Sequence, residues 1–106
     1  MQKPLIDLRA DRRYAVHVSG ILQVEGNVYV VEVLDVSSAG LRITCPISIP
    51  VGARLVVTTC HTDIVGEVQE ARAVGANEFR LSVEALTAAV GGLDLTPFLE
   101  PIARYL

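Results

Sequence analysis

Apolar and polar residues alternate with a period of two through most of the first 85 positions, which is the pattern of half-buried β-strands. Tyr14 to Gln23 places Ala15, His17, Ser19 and Ile21 on one face and Val16, Val18, Gly20 and Leu22 on the other. Neither face is cleanly polar, so the alternation alone leaves open which one points inward. Glu25-Gly26-Asn27 is a turn signal. Val28 to Val36 reads as a second strand, with Tyr29, Val31 and Val33 opposite Val30, Glu32 and Leu34. Ser37-Ser-Ala-Gly40 breaks it, and Leu41 to Cys45 is a short third strand. Pro46 to Gly52 is a loop whose Pro50 and Gly52 suit a turn. Ala53 to Thr59 and Ile64 to Val74 are strands four and five, and Gly66 in the latter is expected to mark a bulge or bend. After a turn at Gly75 to Glu78, Phe79 to Glu84 sets Phe79, Leu81 and Val83 against Arg80, Ser82 and Glu84.

Six short, closely spaced strands predict an all-β domain, a small antiparallel barrel or sandwich; the barrel is favoured because closure removes exposed sheet edges. The tail differs. Thr96 can cap a helix, Pro97 suits its first position, and Phe98, Ile102 and Tyr105 share a face. Pro101 costs one hydrogen bond there. The expectation is an arm over residues 1–13, a barrel over 14–86, and a tail over 87–106. Gly91-Gly92 serves as a joint in that tail before a short helix that packs on the barrel.

With 106 residues and 51% hydrophobic composition, the chain is long enough for one self-sufficient core. The net charge of −3 argues against a nucleic-acid polymer as partner, since that needs a broad basic face. With 5% aromatics, stacking platforms for single strands are scarce as well. No apolar run approaches the roughly 18 residues of a membrane helix, and the N-terminus has no apolar leader. The expectation is a cytoplasmic protein without membrane insertion, whose Cys45 and Cys60 are reduced thiols near strand ends. Cys60-His61 has no spaced partners to complete a zinc site, so no metal is expected.

Two segments carry candidate chemistry. In Arg9-Ala-Asp-Arg-Arg13, two arginines stand four apart before the first strand, with Arg12 between them. A guanidinium is planar and always charged; it can fork to a phosphate or to guanine O6 and N7, or stack on a base. The competing reading is a solvated charged arm, partly balanced by Asp7 and Asp11. In Asp35-Val-Ser37-Ser-Ala-Gly40, Asp35 and Ser37 share a face if the strand stays extended. Asp35 can accept from guanine N1–H and N2–H, and Ser37 can donate or accept. Gly40 allows a positive φ or a close backbone approach. The competing reading is a side-chain-bonded turn. A catalytic triad of His17, Ser37 and Asp35 has no ordered constellation behind it, so no catalytic residue is assigned and no enzyme is expected.

Taken together, the two segments resemble the signature of the PilZ domain family, RxxxR followed by [D/N]xSxxG. Arg13-Tyr-Ala-Val is similar to that family's entry into its first strand, and Phe79-Arg-Leu-Ser-Val-Glu84 to its last. The resemblance covers about residues 8 to 86. It implies a six-stranded barrel with a C-terminal helix that binds cyclic di-GMP, with no further cofactor. Arg9 and Arg13 would take guanine edges and phosphates, and Asp35 and Ser37 would take the other guanine, with Gly40 giving backbone room. Leu8, Arg12 and Ser38 are additional candidates. Because Leu8 is not a further arginine, one ligand per chain is expected. The implied partner is an effector protein of unspecified identity; the alternative is a protein-interaction adaptor of the same fold that binds no nucleotide.

Overall fold

The computed structural model describes residues 13–60 and 62–86. Among these, six strands form one closed antiparallel barrel: β1 (Tyr14–Val24), β2 (Asn27–Ser37), β3 (Gly40–Cys45), β4 (Arg54–Thr58), β5 (Asp63–Gly75) and β6 (Glu78–Ala85). They match the strands expected from the alternation, with ends moved by at most one residue. The helix expected after Thr96, Arg9 with its neighbours Leu8 and Arg12, and His61 lie outside the described residues.

The order around the barrel is β1-β2-β3-β6-β5-β4, with β4 pairing back to β1. β1–β2, β2–β3, β4–β5 and β5–β6 are hairpins. The two-residue Glu25-Gly26 turn has φ of 49° and 80°, the doubly left-handed geometry whose twist matches its flanking strands. β3–β6 and β1–β4 are the long-range pairings that close the ring. β3 and β4 stand on opposite sides of this ring, so residues 46–53 cross one end of it. That crossing drops Ile49, 2% exposed, into the core, with Ile47 packed beside it. The expected turn is present: Ala53 N–H donates to Pro50 O, while Gly52 N–H donates to Val68 O and ties the crossing to β5.

The barrel interior settles which faces are buried. On β1 the even residues Val16, Leu22 and Val24 face inward; on β5 Ile64 and Val68 do, and on β6 Leu81, Val83 and Ala85. Each fully buried Val, Leu or Ile contributes about 1.5–3 kcal/mol relative to exposure. On β2 the inward set runs Val31, Val33 and then Val36, a change of phase. Its cause is a register shift against β3 between Val33 and Asp35, where two β2 residues oppose one. A second irregularity lies in β1 between Ala15 and Val18.

Gly66 corrects an expectation. It pairs in register with Leu55, and the irregularities in β5 fall between Val68 and Glu70 and between Ala73 and Gly75 instead. Gly66 is small because β6 crosses close to it: a Cβ there would overlap Val83 Cγ1 and stand 2.9 Å from Glu84 O.

Candidate functional site

Strand directions define two ends. One carries the Glu25-Gly26 turn, the 46–53 crossing and the Gly75 turn. The other carries the start of β1, the 37–40 turn, the end of β4 and the end of β6. Arg13, the described residue of the first segment, meets the second segment at this end. Arg13 precedes β1, and β1 pairs with β2 so that Tyr14 faces Val36 and Ala15 faces Asp35. Arg13 Nε donates to Asp35 Oδ1 at 2.7 Å, and its Nη1 to Ser37 Oγ at 3.5 Å. Asp35 Oδ2 lies 3.7 Å from Arg42 Nη1, since β3 sets Arg42 opposite Asp35. The side chains of Arg13 and Asp35 are 34% and 19% exposed, so the pair sits at the surface with one side sheltered.

Both Asp35 oxygens thus face arginines. Each keeps a lone pair in reserve, because an ionised carboxylate has about four acceptor positions. Arg13 thus spans both residues, with Nε on Asp35 and Nη1 on Ser37. Ser37 is 1% exposed and its hydroxyl also accepts from Ala39 N–H at 3.2 Å. It therefore closes the turn from inside, and the local turn reading of this segment holds alongside any ligand role. Ser38 is half-buried. Ala39 O accepts from Ala85 N–H at 2.8 Å, which anchors the turn to the end of β6.

Gly40 does not use a left-handed φ. Its need for no side chain comes from β6: a Cβ would overlap the Val83 carbonyl oxygen and lie 3.0 Å from Glu84 Cα. The backbone approach expected at Gly40 is real, and it is made by β6. His17, exposed on β1, makes none of the hydrogen bonds to Asp35 or Ser37 described above, which come from Arg13 and Ala39.

A depression of about 250 Å³ opens beside this cluster, lined among others by Arg13, Gly40, Gln69, Ser82, Val83 and Glu84. Gln69 Nε2 donates to Glu84 Oε1 at 3.1 Å along its edge. Enclosed ligand sites usually hold roughly 300–1,000 Å³, so a nucleotide-sized ligand here would lie across an open face. Arg42, Ser82, Gln69 and Glu84 were not singled out from sequence. The outward position of Ser82 and Glu84 was legible; Arg42 is set beside Asp35 by the β2–β3 hairpin, while the nearness of Ser82, Glu84 and Gln69 to Arg13 depends on the β3–β6 pairing, which no local pattern announces.

Cys45, 2% exposed, and Cys60, exposed, are free thiols. Burial pushes the Cys45 thiol up from its ordinary 9.0, against a smaller opposing effect of a backbone hydrogen bond with Ile47. Among the described residues there is no group of three or more His, Cys, Asp or Glu side chains placed to hold a metal. No helix among them is long and apolar enough to cross a membrane. No curated protein matches the sequence. The family model described as PilZ domain matches residues 7–88, the whole barrel together with the Arg9–Arg13 and Asp35–Gly40 segments. With that match over most of its length, the barrel, and Arg13 of the first signature segment set against Asp35 and Ser37 of the second, the chain belongs to the PilZ domain family.

Proposed function

We propose that this chain is a cyclic di-GMP receptor that binds its ligand at the barrel end marked by Arg13 and Asp35, and closes its N-terminal arginine arm over it. PilZ domains generally bind cyclic di-GMP. The observation that carries the reading for this chain is the Arg13–Asp35–Ser37 cluster. It presents an oriented guanidinium edge and a carboxylate with acceptor capacity beside an open depression. The ligand brings two phosphate charges and guanine edges, which these groups can neutralise and pair. Arg9 is the second cation, delivered by the arm. Ordering an arm on binding costs several kcal/mol of the gross interaction energy, and the ordered arm offers a partner protein a surface that the free form lacks.

Calorimetric titration tests this. The expected result is one cyclic di-GMP per chain, with GMP and cyclic di-AMP much weaker. Arg9→Ala and Arg13→Ala each weaken binding by about 1.5–3 kcal/mol, the scale of a lost charge-assisted hydrogen bond. Wild-type affinity in both variants would remove the site assignment. No nucleotide binding at all would leave a protein-interaction adaptor as the better reading.

A further inference from the structure

We propose that Arg42, Arg72 and Arg80 form a phosphate-binding subsite on the outer wall of β3, β6 and β5, continuous with the Arg13–Asp35 site. That its phosphate belongs to a cyclic dinucleotide rests on the function proposed above; that it binds phosphate does not.

The placement follows from register. On β6, Arg80 faces Arg72 of β5 on one side and Thr44 of β3 on the other. Arg42 faces Ser82, one step along on the same outer face, and so lies diagonal to Arg80. Like charges directly opposite in an antiparallel pair destabilise a sheet, and here Arg72 and Arg80 are such a pair with a third arginine diagonal to them. All three line one depression of about 100 Å³, together with Glu70 and Ser82. That is room for a phosphate-sized group.

Local counter-charge does not cancel them. Glu70 lies 3.8 Å from Arg72, both well exposed. Asp35 is 3.7 Å from Arg42 but bonds Arg13 a full ångström closer. No carboxylate among the described residues lies within ion-pair distance of Arg80. A chain of net charge −3 thus gathers three of its nine basic residues on one wall of three strands. A sheet that keeps a like-charge pair with one exposed carboxylate beside it gives up stability locally, and such departures concentrate at functional sites. Guanidinium forks match phosphate geometry.

The wall also joins the first site. Ser82 lines both depressions, and Arg42 belongs to the wall while facing Asp35. A phosphate on the wall therefore comes either from the far side of the nucleotide seated at Arg13 or from a second nucleotide beside it.

Two measurements decide. In the first, the labelled wild-type protein is titrated with inorganic pyrophosphate while the arginine Nε–Hε resonances are followed by NMR. Saturable shifts are expected at Arg72 and Arg80, with the Arg42 shift lost in the double variant R72Q/R80Q; the absence of saturable shifts overturns the subsite. In the second, cyclic di-GMP is titrated into wild type and R72Q/R80Q. A fall in affinity of roughly tenfold or more at an unchanged ratio of one assigns the phosphate to the same nucleotide. A ratio falling from two to one assigns it to a second. Unchanged affinity and ratio overturn the proposal, while a loss in Arg13→Ala would still uphold the main site. If wild type binds no cyclic di-GMP, the function proposed above fails and the pyrophosphate titration judges the subsite alone. The double variant should keep or raise its Tm, since repulsion is removed; a marked fall would assign the arginines to the fold.

Discussion

At the scale of single residues, the Arg13–Asp35 bridge contributes little to folding. Exposed ion pairs are worth about 0–1 kcal/mol after side-chain entropy and screening, and this one is partly exposed. Arg13→Ala should therefore leave the protein folded, so that a loss of ligand affinity measures binding and not unfolding. Cys45 behaves oppositely: it matters to stability and not to the site. Its thiol is held neutral by burial, with a raised pKa. Its contribution is fully present below the unfolded value near 9.0 and is lost as pH rises toward the higher folded value, because the unfolded chain then binds fewer protons than the folded one. The expected outcome is a Tm that falls as pH is raised above about 9, with a shallower fall in Cys45→Ala; equal slopes in the two proteins would remove Cys45 from the account. The exposed Cys60 should react first with a thiol reagent in the native state.

At the scale of elements, the 37–40 turn shows how a signature can serve the fold and the site together. Asp35 is reached because β2 bulges between Val33 and Asp35, which moves Val36 inward and leaves Asp35 beside Arg13. Ser37 closes the turn, and Gly40 lets β3 lie against β6. Gly40→Ala forces a methyl into the Val83 carbonyl, and backbone cannot step aside as a flexible side chain would. A loss of about 3 kcal/mol or more is expected, at or beyond the upper end of overpacking costs, seen as a lower denaturation midpoint. A nearly neutral Gly40→Ala would mean that its glycine is there for the ligand. The six strands and most of their inward faces were legible from sequence, because period-two patterning is local and strong. The burial of even β1 residues was not, since both faces carry apolar groups. Nor was the cause of Gly66, which answers to Val83 and Glu84 of a strand that pairs at long range.

At the scale of the whole barrel, the two ends divide the work. One is crossed by residues 46–53 and filled by Ile49; the other gathers Arg13, the 37–40 turn and the end of β6. The second arrangement was half legible: Arg13 and Asp35 were expected near each other, and Arg42 joins them through the β2–β3 hairpin, but Ser82 and Arg80 join only through β3–β6, a contact across about forty residues that local pattern does not encode. Closure makes these pairings mutually dependent, so the barrel should unfold as one unit while its ends are still separable in effect. Ile49→Ala empties a fully packed position and should cost about 2–5 kcal/mol. Its cavity lies at the end away from Arg13, and sites that share no partners add independently. The folded fraction of Ile49→Ala should therefore bind cyclic di-GMP with wild-type affinity, measured well below its lowered Tm. Weakened binding there would show that the crossing and the arginine end are coupled through the barrel wall, which would make the core itself part of how the ligand is sensed.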